Sequence, residues 1–391
     1  MRGISGGLAR QSHWGAIMGI AIVAGTRPEI LKLAPVFRSL KDAALDPVWI
    51  ATGQHGDLAE QALDAVDIRP DVTLSGGWDP CSLTNLSAGL LDQLGSWVTD
   101  HQPRAVIVQG DTASAWSGAL AAHLNKVPVG HVEAGLRSGD TNNPFPEESF
   151  RRLIAPIADF HFAPTRLAEK NLRLDGVRPR QIWVTGNTII DTVLDMADRV
   201  RAPAILDQVK PGERIILLTA HRRESWGEGI VGICRAALEL VHRHPDIRII
   251  FPAHSNPRVR ETVEDMLGAT DRIHVIAPLA YPEFIAVLKA SHLVLSDSGG
   301  VQEEAPSFDV PVLVLRETTE RQEAIDAGVA KLVGTDPAVI VREASLLLTR
   351  PSAHGRMASR KNPFGDGKAS QRITDILASK LLAGKELRQA S

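Results

Sequence analysis

Cysteine is nearly absent: only Cys81 and Cys234 occur in 391 residues, far apart in the chain. That suggests neither a disulfide framework nor a thiolate metal site, and it fits a reducing compartment. A surplus of one charge is missing too. The formal net charge is -3, with 43 basic against 46 acidic residues, and arginine and lysine are scattered among the acids. Neither nucleic acid nor an anionic membrane surface is therefore expected as a partner. No stretch approaches the roughly 18–20 consecutive apolar residues of a membrane span. The opening MRGISGGLARQSHWGAIMG imitates a signal peptide weakly, with Arg2 and Arg10 before the apolar run Ala16–Ala24, but it lacks a small-residue cleavage pattern. Residues 1–17 read as a disordered extension or an upstream start, and the protein as soluble and cytoplasmic. Internal repeats and low-complexity tracts are lacking. His131, His161 and His254 show no metal-triad spacing and read as structural residues or as supports behind the site.

What is present is a regular alternation. Length suggests two domains. From Ile20, short apolar runs alternate with helical segments, the sign of a parallel sheet covered on both faces. IAIVA leads into Gly25-Thr26-Arg27-Pro28, where Thr26 suits a helix cap and Pro28 a first helical position. PVWIAT ends in Gly53-Gln54-His55-Gly56, RAVIV in Gly110-Asp111-Thr112, and the run Val127–Gly130 in His131-Val132-Glu133. Residues 69–82 are turn-rich and predict no definite element. Four strand ends that deliver glycine or polar residues outline the ligand-binding edge of an open α/β sheet. Asp111 and Glu133 can converge there with Glu147, which starts a helix after the loop from Gly139 to Pro146. Each acid also has a plainer role open to it: a helix cap for Asp111, a solvent carboxylate for Glu133, a first-turn helix acid for Glu147.

Charged, proline-containing sequence from Arg201 to Glu213 reads as the link to a second α/β unit. RIILLTA ends in His221-Arg222-Arg223-Glu224-Ser225, DIRIIFPAH in His254-Ser255-Asn256, and HLVLS in Asp297-Ser298-Gly299-Gly300. Ser298, Gly299 and Gly300 at a helix start present backbone N–H groups and the positive end of a helix dipole, a ready anion site. Neither the P-loop nor the GxGxxG spacing is present. Glu303 and Glu304 follow one turn later, where a carboxylate can accept sugar hydroxyls. VPVLVLR and VAKLVG complete the strands. The expected layout is an N-terminal α/β domain over 18–190 carrying the carboxylates and a C-terminal α/β domain over 191–370. A terminal helix over 371–391 packs back on the first domain, and a ligand is held between the two.

GTRPE at 25–29, QGDT at 109–112, GHVEAGLRSGD at 130–140, PFPEES at 144–149, TGNT at 185–188, AHRRES at 220–225, DSGGVQEEAPS at 297–307 and TTERQEA at 318–324 together resemble the non-hydrolysing UDP-N-acetylglucosamine 2-epimerase family. The resemblance runs from about Ile20 to about Ile376. It implies two Rossmann-like domains facing across a cleft in a GT-B-like arrangement, similar to UDP-glycosyltransferases and glycogen phosphorylase, and a homodimer. It further implies inversion at C2 of UDP-GlcNAc to give UDP-ManNAc through a 2-acetamidoglucal intermediate, without nicotinamide or metal.

By motif position Asp111 and Glu133 are then the proton-transfer pair, with Glu147 assisting by hydrogen bonding or as an alternative acid/base. His221, Arg27 and the Ser298-Gly299-Gly300 turn meet the UDP phosphates and stabilise the departing charge, and Glu304 meets the ribose. Lys32, Arg137 and Arg321 are expected in the cleft, balancing the carboxylates. Gln54 and His55 match an activator loop of the family, although Gly56-Asp57 lacks the longer polar side chains common there. Gln322 stands where a proline is often found. Relatives that act on other UDP-2-acetamido sugars, diacetamido-uronic acids among them, share much of the pattern. A hydrolysing enzyme that releases ManNAc and UDP, a glycosyltransferase using the same cleft, and a non-catalytic nucleotide-sugar sensor are the competing classes.

Overall fold

The computed structural model describes residues 19–76, 82–222, 226–253 and 257–389. The N-terminal extension, Cys81, Arg223, Glu224, Ser225 and His254 lie outside the described residues. The first unit builds β1 (Ile20–Ala24), α1 (Arg27–Asp42), β2 (Val48–Ala51), α2 (Asp57–Ala65), β3 (Val72–Thr73), α3 (Leu83–His101), β4 (Ala105–Gln109) and α4 (Ala113–Leu124). It continues with β5 (Val129–Val132), α5 (Glu147–Ile154), β6 (Phe160–Ala163), α6 (Arg166–Leu174), β7 (Ile182–Val184) and α7 (Thr188–Arg199). The second unit contains β8 (Arg214–Thr219), α8 (Glu228–Arg243), β9 (Ile247–Pro252), α9 (Pro257–Leu267), β10 (Ile273–Ile276), α10 (Tyr281–Ala290) and β11 (Leu293–Ser296). After these come α11 (Gly299–Glu304), β12 (Val312–Val314), α12 (Gln322–Asp326), β13 (Ala330–Leu332), α13 (Pro337–Thr349), α14 (Pro351–Ala358) and α15 (Ala369–Gln389).

Both sheets are parallel, in the orders β3-β2-β1-β4-β5-β6-β7 and β10-β9-β8-β11-β12-β13. Each order reverses direction once, at β1/β4 and at β8/β11. Chain connections leave the sheet on opposite sides at such a point, which opens a crevice beyond the carboxyl ends of the two strands. The GTRP and GDT turns follow β1 and β4; the His221 and Ser298 turns follow β8 and β11. Topology alone therefore places these four turns at two crevices.

Alternation along the strands fills both faces. Val23, Val106 and Val108 pack with α3, α4 and α5 on one face. Ile22 and Ile107 pack with α1 and α7 on the other, and that apolar cluster runs on through Ile285 of α10 to Leu217 and Val294 of the second sheet. A shared core and direct bonds hold the two units together: the Thr165 hydroxyl donates to Glu323 at 2.7 Å and Asn187 N–H to the Phe364 carbonyl at 2.6 Å.

Two local expectations change. The fifth strand is Val129–Val132 rather than Val127–Gly130, so His131 and Val132 are buried strand residues and only Glu133 emerges at the edge. The stretch 69–82, which predicts nothing by composition, contributes the two-residue edge strand β3, set by pairing with β2 rather than by its own pattern.

Helix α7 runs through position 190/191 and packs on α1, α10 and α11 alike. Helix α15 lies on α1 and α7, with Ile373 and Leu377 fully buried. Its start is fixed by Asp191 of α7, whose buried carboxylate accepts from Ala369 N (3.1 Å), Ser370 N (2.8 Å) and Ser370 Oγ (2.6 Å). Asp191→Ala leaves these donors without an acceptor and should cost about 1–3 kcal/mol, with Asp191→Asn losing less. Urea unfolding checks this; an unchanged midpoint in the alanine variant would remove Asp191 as the anchor of the terminal helix.

Candidate active site

The turn after β1 is built around a buried acid. Thr26 caps α1 by accepting from Glu29 N, and Glu29 Oε2 reaches back to accept from Gly25 N at 3.0 Å and Thr26 N at 2.7 Å, a reciprocal capping box. Thr112 Oγ donates to the other Glu29 oxygen at 2.5 Å, which ties the turn after β4 to the turn after β1. Burial pushes the Glu29 carboxyl up to about 7, against the opposing pull of those hydrogen bonds. Gln54, after β2, accepts from Ser114 N (3.1 Å) and Ser114 Oγ (2.7 Å). A Cβ on Gly25 would stand 1.9 Å from Thr52 Oγ1 and 2.3 Å from Ser114 Oγ, so only glycine lets these three strand ends close up. Arg27, at the first turn of α1, is then aimed into the space between the units, its guanidinium 5.4 Å from the centre of the Tyr281 ring.

The three acids stand in different surroundings. Asp111 pairs with Arg151 of α5. Arg151 in turn lies 3.4 Å from Glu148, which is fully buried and accepts from Ser138 N and Arg152 Nε, both at 3.0 Å. Burial alone would raise the Glu148 carboxyl, but these donors outweigh it and hold it below its ordinary value. Glu133 is buried and left-handed, with φ +62°, a conformation uncommon for a side-chain-bearing residue and concentrated at functional sites. One of its oxygens accepts from both Lys32 Nζ and Gln109 Nε2. Burial would lower the Lys32 ammonium, but Glu133 and Glu303 reverse the balance and raise it. Glu147 is partly exposed, and its Oε2 is buried without a hydrogen-bond partner.

Across the cleft, Asp297 is fully buried behind β11 and accepts from His221 N (3.0 Å) and Arg222 N (2.9 Å), with His221 Nδ1 at 3.2 Å. Ser296 Oγ accepts from Ser298 N at 3.0 Å, fixing the entry to α11. Glu303 accepts from Arg321 Nε at 2.6 Å and from Asn187 Nδ2 of the first unit at 3.1 Å. Glu303 thus helps to join the two units while also lining the cavity between them. Glu304 accepts from Tyr281 OH at 2.9 Å, and burial pushes its carboxyl up to about 7.

These turns enclose a cavity of about 750 Å³ whose wall includes Arg27, Lys32, His221, Ser298, Gly300, Glu304 and Arg321, with Pro252, Leu279 and Phe284 supplying apolar surface. Glu133 stands directly behind Lys32. Gly299 is shielded by the Arg321 and Arg222 guanidinium groups. Arg137 is turned away from the cavity and pairs with Asp175 at 2.7 Å. Gln54 is occupied with Ser114, and His55 is exposed beside it. Among the described residues no group of three His, Cys, Asp or Glu side chains could hold a metal ion, and no helix is long and apolar enough to cross a membrane. Sequence inspection alone passed over Glu29, Gln109, Glu148, Arg151, Tyr281 and Asp297 as site residues. The Thr-x-x-Glu spacing of 26–29 was a usable signal for Glu29; nothing local marks Arg151 or Tyr281, which meet their partners only through the fold.

Two parallel α/β units facing across a cavity lined by cations, carboxylates and a glycine-rich helix start define a GT-B-like nucleotide-sugar enzyme. The family model described as UDP-N-acetylglucosamine 2-epimerase matches residues 38–378. A UDP-N-acetylglucosamine 2-epimerase of Bacillus subtilis is 43% identical over 359 residues, covering 92% of this chain and 94% of its own. A putative UDP-N-acetylglucosamine 2-epimerase from Listeria monocytogenes superposes with a TM-score of 0.88 at 40% identity, covering 93% of this chain and 96% of its own. A UDP-GlcNAc 2-epimerase from Neisseria meningitidis, solved bound to UDP-GlcNAc, gives 0.82 at 38% identity, covering 93% and 100%. The chain belongs to the UDP-N-acetylglucosamine 2-epimerase family, and it is an isomerase.

The buried acids make stability depend on pH in a defined direction. Glu29 in the folded chain titrates at about 7, above its ordinary 4.5. Between those values the folded chain holds a proton that the unfolded chain has released, so stability falls as pH rises through that window. Glu304 acts in the same sense. Glu29→Gln mimics the protonated acid and removes the Glu29 share of the slope. Urea midpoints from about pH 5 to about pH 8 should show the variant gaining on the parent toward higher pH; a constant gap would contradict the raised carboxyl.

Proposed function

We propose that this protein interconverts UDP-GlcNAc and UDP-ManNAc without hydrolysis. The observation that carries this is a pair of carboxylates, Asp111 and Glu133, held at adjacent strand ends by separate cationic partners, Glu133 through a lysine that lines a cavity suited to a nucleoside diphosphate. The C2 proton of the sugar is weakly acidic, so its removal needs the C1–O bond to weaken at the same time. One carboxylate takes that proton, the C–H electron pair becomes the C1=C2 bond of a 2-acetamidoglucal, and UDP leaves with the C1–O pair. Return of UDP to C1, with a proton delivered to the opposite face of C2, gives the epimer.

Arg27, His221, the Ser298 side chain and the N–H groups of Gly299 and Gly300 stabilise charge building on the departing diphosphate. Asp297 holds His221 by Nδ1 and so sets the ring's orientation toward the cavity. Glu304 accepts ribose hydroxyls, and Lys32 and Arg321 pair with Glu133 and Glu303. Asp111 and Glu133 carry the proton traffic, with Glu147 assisting from a side chain whose Oε2 is buried without a hydrogen-bond partner. Acid and base work at neutral pH requires such unequal surroundings.

Incubation with UDP-GlcNAc in deuterated water, followed by proton NMR, should give UDP-ManNAc carrying deuterium at C2. Free ManNAc would identify a hydrolysing enzyme instead, and absence of any conversion despite binding would point to another UDP sugar or a sensor. Asp111→Asn should abolish exchange, by at least about 10²-fold, while UDP affinity stays close to that of the parent; unchanged turnover would refute its role.

Ribose hydroxyls that donate to Glu304 favour its anion, so UDP binding should release a proton where the free carboxyl is partly protonated, near its value of about 7. Calorimetric titrations in two buffers of different ionisation enthalpy measure this. Proton release that persists undiminished in Glu304→Gln would exclude Glu304 as its source.

A further inference from the structure

Strands β4 and β5 are joined at their carboxyl ends by more than the sheet ladder. In register, Val108 lies opposite His131 and Gln109 opposite Val132. Side chains alternate between faces along a strand, so His131 shares the Val108 face and Gln109 the opposite one. From its face Gln109 Nε2 donates to the Glu133 carboxylate, crossing from β4 to the acid that follows β5. From the other face His131 Nε2 lies 2.7 Å from the Gly110 carbonyl, crossing from β5 to the peptide that precedes Asp111. Gly110 N–H is taken by the Val132 carbonyl at 3.0 Å, so the left-handed Gly110 (φ +70°) is held at both its N–H and its C=O.

The imidazole's protonation follows from this geometry. A carbonyl only accepts, so Nε2 carries the hydrogen; His131 is 1% exposed, and burial keeps the ring neutral, pushed down to about 3. Nδ1 is then a bare acceptor, buried and without a partner among the described residues. An unmet buried acceptor is destabilising. A leucine here would avoid that cost, and the one thing it would lose is the bond to Gly110.

We propose that Gln109 and His131 are reciprocal positioning residues that lock Asp111 and Glu133 into one rigid pair, each strand holding the acid that belongs to the other. This rests on the assignment of Asp111 and Glu133 to proton transfer. Neither residue touches the cavity wall; they act on the distance and angle between the two acids, and a misplacement on the order of 1 Å can cost about 10²-fold in rate.

The test uses the full-length enzyme with His131→Leu, His131→Gln, Gln109→Met and the Leu/Met double variant. C2 deuterium exchange should fall on the order of 10²-fold in each of the Leu and Met variants, with UDP affinity within about twofold of the parent. His131→Gln places an amide N–H near the former Nε2 and should recover part of the loss. The double variant should be little worse than either single one, because residues that act as a unit are non-additive. Equal rates for the Leu and Gln variants, UDP affinity falling in step with exchange, or fully additive losses would each overturn the proposal. If His131→Leu does not fold, Gln109→Met decides on the same exchange and affinity criteria. Absence of exchange in the parent enzyme counts against the proposed reaction, not against the lock. The lock is then read from crystal structures of the Leu and Met variants, where the Gly110–Asp111 peptide or the Glu133 carboxylate should have turned; unmoved acids would overturn it.

Discussion

Lys32 is the cation on which both halves of the site depend. It donates to Glu133 in its own unit, and its charge is further stabilised by Glu303 of the other; Arg321, paired with Glu303, feels Glu133 in return. Four buried charges therefore alternate in sign from the carboxylate edge of the first sheet to the helix start of the second. Buried ions are tolerated only when paired and hydrogen-bonded, and each unit supplies one such pair, Lys32–Glu133 and Arg321–Glu303. Attraction between the two pairs links them across the cleft, while the apolar cluster of α1, α7 and α10 supplies the bulk of the packing and Asn187 adds a direct bond to Glu303.

Around that array the strand ends are cross-linked by side chains, not left as independent loops. Glu29 binds the turns after β1 and β4, Gln54 and Thr52 bind β2 to the start of α4, and Asp297 binds the backbone after β8 to β11. Each link replaces a water-exposed loop peptide with a fixed partner, which is how groups carried on turns can be as well placed as groups on strands. The cost appears as raised carboxyls at Glu29 and Glu304, bare acceptors at His131 and Glu147, and a left-handed Glu133.

Much of this is legible in the chain. Strand–turn–helix alternation set the class of both domains, because buried parallel strands require continuous apolar runs and the turns between them require glycine and polar caps. Arg27, Asp111, Glu133, His221 and Ser298 all sit directly after strands, so reading strand ends finds them. What local sequence does not carry is direction. Arg137 shares a motif with Glu133, yet the fold turns it to Asp175; Arg151, four residues after Glu147, becomes the partner of Asp111 because α5 packs against α4, the helix that Asp111 precedes. Strand β3 exists because β2 offers an edge, and His131 became a strand residue because pairing with β4 extends β5 two residues beyond its apolar run. Pairing decides each of these, and pairing is non-local.

The proposed reaction depends on unequal surroundings for the three acids. Three carboxylates free in one crevice would titrate as a coupled set, sharing protons without assignment. Arg151 pairs with Asp111, Lys32 and Gln109 donate to Glu133, and among the described residues no cation is paired with Glu147. The two acids on neighbouring strand ends are thus held by different partners, and the third by neither of them. In the proposed reaction, a sugar that loses a proton from one face of C2 and gains one on the other meets groups already differentiated by their neighbours.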